Sequence, residues 1–122
     1  MVEGQDASLQ RNPVLSSEQI DGARLVRLVG ELDLYNAQAL RDALGEICSV
    51  APERVIVDLS EVEFIDSTAL GALIEARTKM ANRKGFILAA PGLETRRALE
   101  ISGLDRHFSI HESVDDALVA AV

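Results

Sequence analysis

Apolar positions along this chain change period several times, and each change marks an element. Val14 to Ile20 reads as a weak strand, and Asp21-Gly22 is a two-residue hairpin signal. Arg24-Leu25-Val26-Arg27-Leu28-Val29 alternates in part and reads as a second strand, antiparallel to the first and broken by Gly30. Asn36 is placed to cap a helix with apolar positions Leu40, Ala43, Leu44 and Ile47, and Pro52 closes that connection. Arg54 to Leu59 reads as a buried strand. The next helix is expected from about Ser67 to Asn82, with Gly85 just past its end as a stop. Phe86 to Ala90 is another buried strand, ended by Pro91-Gly92. Leu93 to Ile101 is a short helix stopped by Gly103, and Arg106 to Ile110 a short strand. Ser113, followed by Asp115-Asp116, opens a last helix through Val119.

After the opening hairpin, strands and helices alternate. That order implies an α/β fold, a mostly parallel sheet with right-handed crossovers and one antiparallel edge strand at the N-terminus. The 122 residues fit one domain with a single core. Residues 1–12 are polar and aperiodic and read as a flexible tail, leaving 13–122 as the domain.

The formal net charge of −8 argues against direct nucleic-acid binding, which needs a basic stripe. Lys79, Arg83 and Lys84 suit a helix C-terminus instead, and Arg96-Arg97 sit in another helix. With aromatics at 3% and no Trp, stacking platforms for bases are missing too. No apolar run approaches a membrane span, and Met1 to Asp6 has neither a basic n-region nor an apolar h-region, so no secretory signal is expected. The single cysteine, Cys48, cannot form an internal disulfide, which fits a reducing cytoplasm. It recurs with Leu40, Leu44 and Ile47 and reads as a core residue.

In an open α/β sheet, function gathers outside the carboxyl ends of the strands. Two stretches meet that description: Gly30-Glu31-Leu32-Asp33 and Phe64-Ile65-Asp66-Ser67-Thr68. On spacing alone, Asp66 and Ser67 are helix caps, and Glu31 and Asp33 are surface loop charges. Asp58, inside an apolar strand, is either an exposed edge carboxylate or a buried, hydrogen-bonded one. His107 and His111 could share one strand face, but Asp105, Glu112 and Asp115 add no diagnostic ligand spacing, so no metal or cofactor is expected. No Walker A loop, Gly-x-Gly-x-x-Gly or Gly-x-Ser-x-Gly elbow is present, and no histidine is set to activate Ser67. The chain is not expected to be an enzyme.

Three segments in order, Gly30-Glu31-Leu32-Asp33, Val55-Ile56-Val57-Asp58-Leu59-Ser60 and Phe64-Ile65-Asp66-Ser67-Thr68-Ala69-Leu70-Gly71, resemble the STAS-domain anti-sigma factor antagonists of bacteria. Ile101-Ser102-Gly103-Leu104 also matches a recurring family segment, and the resemblance runs from about Val14 to Val119. It implies a small cytoplasmic α/β domain that regulates transcription, as in stress responses, by partner switching. The unphosphorylated form binds an anti-sigma factor that is also a serine kinase, with ATP bound by that partner, and a sigma factor is released. Phosphorylation at the start of the central helix ends the binding, and a PP2C-type phosphatase restores it. The phosphoacceptor carries over to Ser67, with Thr68 as the alternative hydroxyl. Asp66 and Asp33 carry over as its neighbours, and the expected partner-binding set is Glu31, Asp33, Asp66, Ser67, Thr68 and Leu70. No direct contact with nucleic acid or membrane is implied, and a monomer is the expected assembly. Many family members have glycine where Ala69 stands, so its β-carbon is expected to favour helix and to add bulk beside the acceptor.

Other readings stay open on the sequence. One is a STAS scaffold or nucleotide-binding module without a phosphorylation cycle. Another is a receiver domain phosphorylated on aspartate, in which Asp58 and Glu31 mimic two parts but the last strand, Arg106 to His111, lacks the needed lysine. A third is a small hydrolase using Ser67.

Overall fold

A computed structural model describes residues 12–120. The expected tail over residues 1–12 lies outside the described residues except for Asn12, whose side chain accepts the Val14 amide at 3.0 Å. The elements in order are β1 (Val14–Ile20), β2 (Ala23–Leu32), α1 (Ala37–Ser49), β3 (Val55–Ile65), α2 (Ser67–Thr78), β4 (Phe86–Ala89), α3 (Leu93–Ser102), β5 (Ser109–His111) and α4 (Val114–Val119). Short 3-10 turns occupy Arg83–Gly85 and Leu104–Arg106. The sheet order follows the chain, β1-β2-β3-β4-β5. Only β1 and β2 pair antiparallel; the other pairs are parallel, as the alternation predicts. Asp21 and Gly22 make the hairpin turn, both with positive φ (49° and 79°), the geometry that matches the twist of a two-residue hairpin.

Three helices cover one face of the sheet. Leu40, Leu44 and Cys48 of α1, Leu70 and Leu73 of α2 and Leu99 of α3 are buried against Val26, Leu28, Val57 and Leu59. The other face carries α4, whose Ala117 packs on Ala23, Leu25, Ile56 and Ile87. Arg54 pins α4 there. Its guanidinium donates to the carbonyls of Ala117, Leu118 and Ala120 at the C-terminal end of that helix, where carbonyls lack most of their intrahelical partners.

The two central strands run further than the sequence pattern predicts. Gly30 does not break β2, and β3 continues past Leu59 to Ile65, so Phe64 and Ile65 are strand residues rather than loop residues. The cause is a pair of irregularities in the β2–β3 register, between Arg27 and Val29 and between Gly30 and Glu31. At each, β3 contributes one residue more than β2, as in a β-bulge. Val55 to Leu59 are all buried, and beyond them burial falls only on every third residue (Val62, Ile65). Gly30, at φ 83°, lies at the second irregularity.

Other boundaries move for local reasons. α2 stops at Thr78 instead of Asn82, because the Asn82 side chain accepts the Lys84 amide and starts a separate 3-10 turn. Gly85 is not a left-handed helix stop. It is buried in that turn, and a β-carbon there would drive into the Glu53 carbonyl oxygen. Arg106 belongs to a 3-10 turn, and His107 lies outside β5, so the two histidines do not share a strand face. Gly103 does end α3 in the left-handed conformation, at φ 78°, and Ser113 caps α4 by accepting the Asp116 amide.

Candidate functional site

Parallel pairing of β2 and β3 brings their carboxyl ends together. Leu32 and Ile65 are register partners, and the Asp66 amide donates to the Leu32 carbonyl at 3.0 Å. Asp33 and Asp66 are thus the next residues out on two adjacent strands. Asp66 is extended (φ −106°, ψ 179°), and its Oδ1 accepts the Ala69 amide at 3.0 Å. This aspartate is the N-cap of α2. Ser67 and Thr68, the first two helical residues, are exposed, and neither hydroxyl has a hydrogen-bond partner among the described residues. Ser67 therefore does not cap the helix.

The acidic loop on β2 is held by Asn36. This residue occupies the N-cap position of α1, as expected, but its side chain does not cap. Its Oδ1 accepts the Asp33 amide at 2.9 Å, and its Nδ2 donates to the Glu31 carbonyl at 2.8 Å. Only 6% exposed, Asn36 satisfies two backbone groups of the loop at once. The Asp33 carboxylate in turn accepts the Tyr35 amide at 3.0 Å. Glu31 is exposed and registers with Phe64 on β3.

Two expectations about α2 are corrected. Leu70 is 5% exposed and packs in the main core, so it is not part of a partner-facing surface. Ala69 is fully buried in the same cluster, so its β-carbon fills core rather than adding bulk beside Ser67. Both follow from helical period: Ala69, Leu70 and Leu73 share the inward stripe, while Ser67 and Thr68 stand outside it.

Three side chains at this end were not in the expected partner-binding set. Leu34 is 62% exposed, Tyr35 80% and Phe64 49%. The chain has only four aromatic residues, one Tyr and three Phe. Phe86 and Phe108 are buried with ring centroids 6.1 Å apart, which leaves both exposed aromatics beside the Ser67 loop. The available signal was Leu34-Tyr35 itself, two large apolar residues directly after a turn-forming aspartate. Phe64 escaped because the bulges hide its strand.

Electrostatics at this end are one-sided. Neither Leu28 to Leu40 nor Val55 to Ala76 contains a lysine or arginine, while Glu31, Asp33, Glu61, Glu63 and Asp66 all lie near the carboxyl ends of β2 and β3. Asp58 stands apart. Its side chain is 5% exposed and accepts Arg27 Nε at 3.0 Å and the Ser60 amide at 3.0 Å. It is the buried, hydrogen-bonded carboxylate of the two alternatives, and an aspartate enclosed in this way does not suit the acceptor role of a receiver domain. Cys48 faces the core, where burial pushes its thiol up to about 11 against the opposing pull of the Lys79 ammonium. Among the described residues, no helix is long and apolar enough to cross a membrane.

Comparison with known proteins agrees with this architecture. Residues 15–117 match the sequence profile of the STAS domain family. The chain is 36% identical over 98 residues to the anti-sigma-F factor antagonist RsfB of Mycobacterium tuberculosis, covering 80% of each protein. It is 30% identical over 110 residues to an anti-sigma F factor antagonist of Paenibacillus polymyxa, covering 88% of this chain and 93% of that one. The crystal structure of an anti-sigma factor antagonist from Mycobacterium paratuberculosis superposes with a TM-score of 0.79 at 37% identity, over 86% of this chain and 89% of that chain. The chain belongs to the STAS domain family.

Proposed function

We propose that this chain is a cytoplasmic anti-sigma factor antagonist whose Ser67 end binds an anti-sigma factor with serine kinase activity. In its unphosphorylated form it holds the anti-sigma factor and so releases a sigma factor. The partner brings ATP and phosphorylates Ser67, binding ends, and a PP2C-type phosphatase resets the chain. The chain itself acts by binding and catalyses nothing.

The observation that carries this reading is the division of labour at the start of α2. Asp66 makes the cap, and the exposed Ser67 hydroxyl has no hydrogen-bond partner among the described residues. The names of the relatives support the partner class. A phosphate on Ser67 adds about −1.5 to −2 charges and meets two opposed local influences. The helix amides attract it by about 0.3–1 kcal/mol, and the carboxylates of Asp33 and Asp66 repel it. The fold therefore changes little. At an interface that had accepted a neutral hydroxyl, burying the unpaired charge costs several kcal/mol, and about 1.4 kcal/mol is tenfold in affinity. A hundredfold switch then needs no conformational change.

The test uses the cognate anti-sigma factor kinase with ATP. Mass spectrometry is expected to find one phosphate, on Ser67. Ser67→Ala binds the kinase and resists phosphorylation, and Ser67→Asp binds about a hundredfold more weakly with its thermal midpoint shifted by only a few degrees. Normal binding by Ser67→Asp, or phosphate on Thr68 alone, overturns the assignment.

A further inference from the structure

We infer that Tyr35, Leu34 and Phe64 are the apolar anchors of the partner interface, and that the partner meets them with an apolar pocket rimmed by lysine and arginine. This rests on the reading of the Ser67 end as the binding face. Single exposed apolar side chains are ordinary on any surface. Here three large ones lie at the carboxyl ends of two adjacent strands, where Glu31 of β2 registers with Phe64 of β3, beside the helix start that exposes Ser67 and Thr68. Contiguous apolar exposure rimmed by polar groups marks an interaction site.

The backbone beneath Tyr35 is already ordered. Its amide donates to the Asp33 carboxylate, and the Asn36 amide donates to the Asp33 carbonyl at 3.2 Å. The backbone here needs little further ordering on binding, and buried tyrosines are common energetic centres of interfaces. The rim decides what kind of partner fits. Glu61 and Glu63 are exposed on β3, Asp33 and Asp66 follow the two strands, and neither Leu28 to Leu40 nor Val55 to Ala76 contains a lysine or arginine. A second copy of this chain would set carboxylates against carboxylates, which opposes self-association through this face. A surface of opposite charge is attracted to it and steered onto it.

The probe is the anti-sigma factor kinase that passes the Ser67 test, titrated against the full chain at low and at high salt. Tyr35→Ala is expected to weaken binding by at least about tenfold while leaving the salt dependence unchanged. The double variant Glu61→Gln, Glu63→Gln is expected to slow association and flatten the salt dependence. Leu15→Ala, an exposed apolar change on β1 at the sheet edge, serves as the control and leaves binding unchanged. Tyr35 is exposed, so a preserved thermal midpoint verifies that its variant is folded. If Ser67→Asp releases the partner but Tyr35→Ala and Phe64→Ala both bind within twofold of the parent, the anchor assignment fails and the switch stands. If binding is insensitive to salt, the basic rim is wrong. Self-association in sedimentation that Tyr35→Ala abolishes would assign the face to a second copy and overturn the inference. Normal binding by Ser67→Asp defeats the switch, independent of either result.

Discussion

The Asp66 carboxylate accepts the amide of Ala69 at 3.0 Å, so the residue before Ser67 does the capping of α2. Serine and aspartate are both favoured at helix starts, and in this chain they stand side by side. The order of the two decides their roles. Asp66 is extended and tied through its own amide to the Leu32 carbonyl, so the β2–β3 register sets where the helix begins. Ser67 comes one residue later, inside the helix and exposed, with no structural duty among the described residues.

This assignment has a direct consequence for stability. Asp66→Ala removes the cap and is expected to cost about 1 kcal/mol. For a domain of this size that lowers the thermal midpoint by about 4 °C. Ser67→Ala removes no bond and is expected to stay within about 0.5 kcal/mol of the parent. Thermal unfolding followed by circular dichroism separates the two. The reverse order of effects would place the cap on Ser67.

Asn36 gives a second expected loss, through the loop rather than the helix. Asn36→Ala leaves the Asp33 amide and the Glu31 carbonyl without the partners they have at 2.9 and 2.8 Å. Losing these two part-buried bonds to the loop backbone is expected to cost roughly 1–3 kcal/mol. Urea unfolding should show a lower midpoint with an unchanged slope. Gln38→Ala breaks only two exposed bonds, one donated to Asp42 and one accepted from Arg41, and is expected within about 0.5 kcal/mol of the parent.

The sequence carried the element order, the antiparallel hairpin and the helix start at Asp66-Ser67, because each rests on local chemistry. Asp21-Gly22, Gly103 and Ser113 act through their own backbone geometry or hydroxyl, and all three do in the fold what their types suggest. What it hid was set by tertiary partners. The extension of β3 to Ile65 runs through two register irregularities, beyond which a fully buried run gives way to burial at every third residue. Gly85 looks like a helix stop, but its reason is the Glu53 carbonyl from a distant connection. Within the site, Asp33, Asp66 and Ser67 were legible as residues. Their division of labour was not, since N-cap preference alone does not choose between adjacent candidates. Tyr35 and Phe64 were missed because an exposed aromatic and a buried one look alike until the core is known.

Two glycines should respond oppositely to alanine. Gly85→Ala forces a β-carbon against the Glu53 carbonyl oxygen and within 3.3 Å of the Met80 methyl carbon. The methionine can give way, but the backbone oxygen cannot without moving the chain before β3. The expected cost is roughly 1–3 kcal/mol. Gly71 lies inside α2 with nothing within 4 Å of its would-be β-carbon. Gly71→Ala restricts the unfolded chain and suits the helix, and is expected to stabilise by about 0.5–1 kcal/mol. Calorimetric midpoints moving in the same direction would contradict this pair.

Cys48 supplies the last expected outcome, a dependence on alkaline pH. Its side chain is fully buried, and burial raises the thiol from 9.0 to about 11, with the Lys79 ammonium pulling the other way. Thiolate is the reactive form, so thiol reagents at pH 8 should label the native chain slowly and the urea-unfolded chain fast. The folded value lies above the unfolded one. The stability linked to this group is therefore fully present below about pH 9 and is lost as pH rises from about 9 through about 11. The comparison is with Cys48→Ala, which keeps every other ionisable group. Urea midpoints for the parent should fall more steeply across this window than those of Cys48→Ala. Parallel curves would mean that the thiol does not titrate differently in the two states.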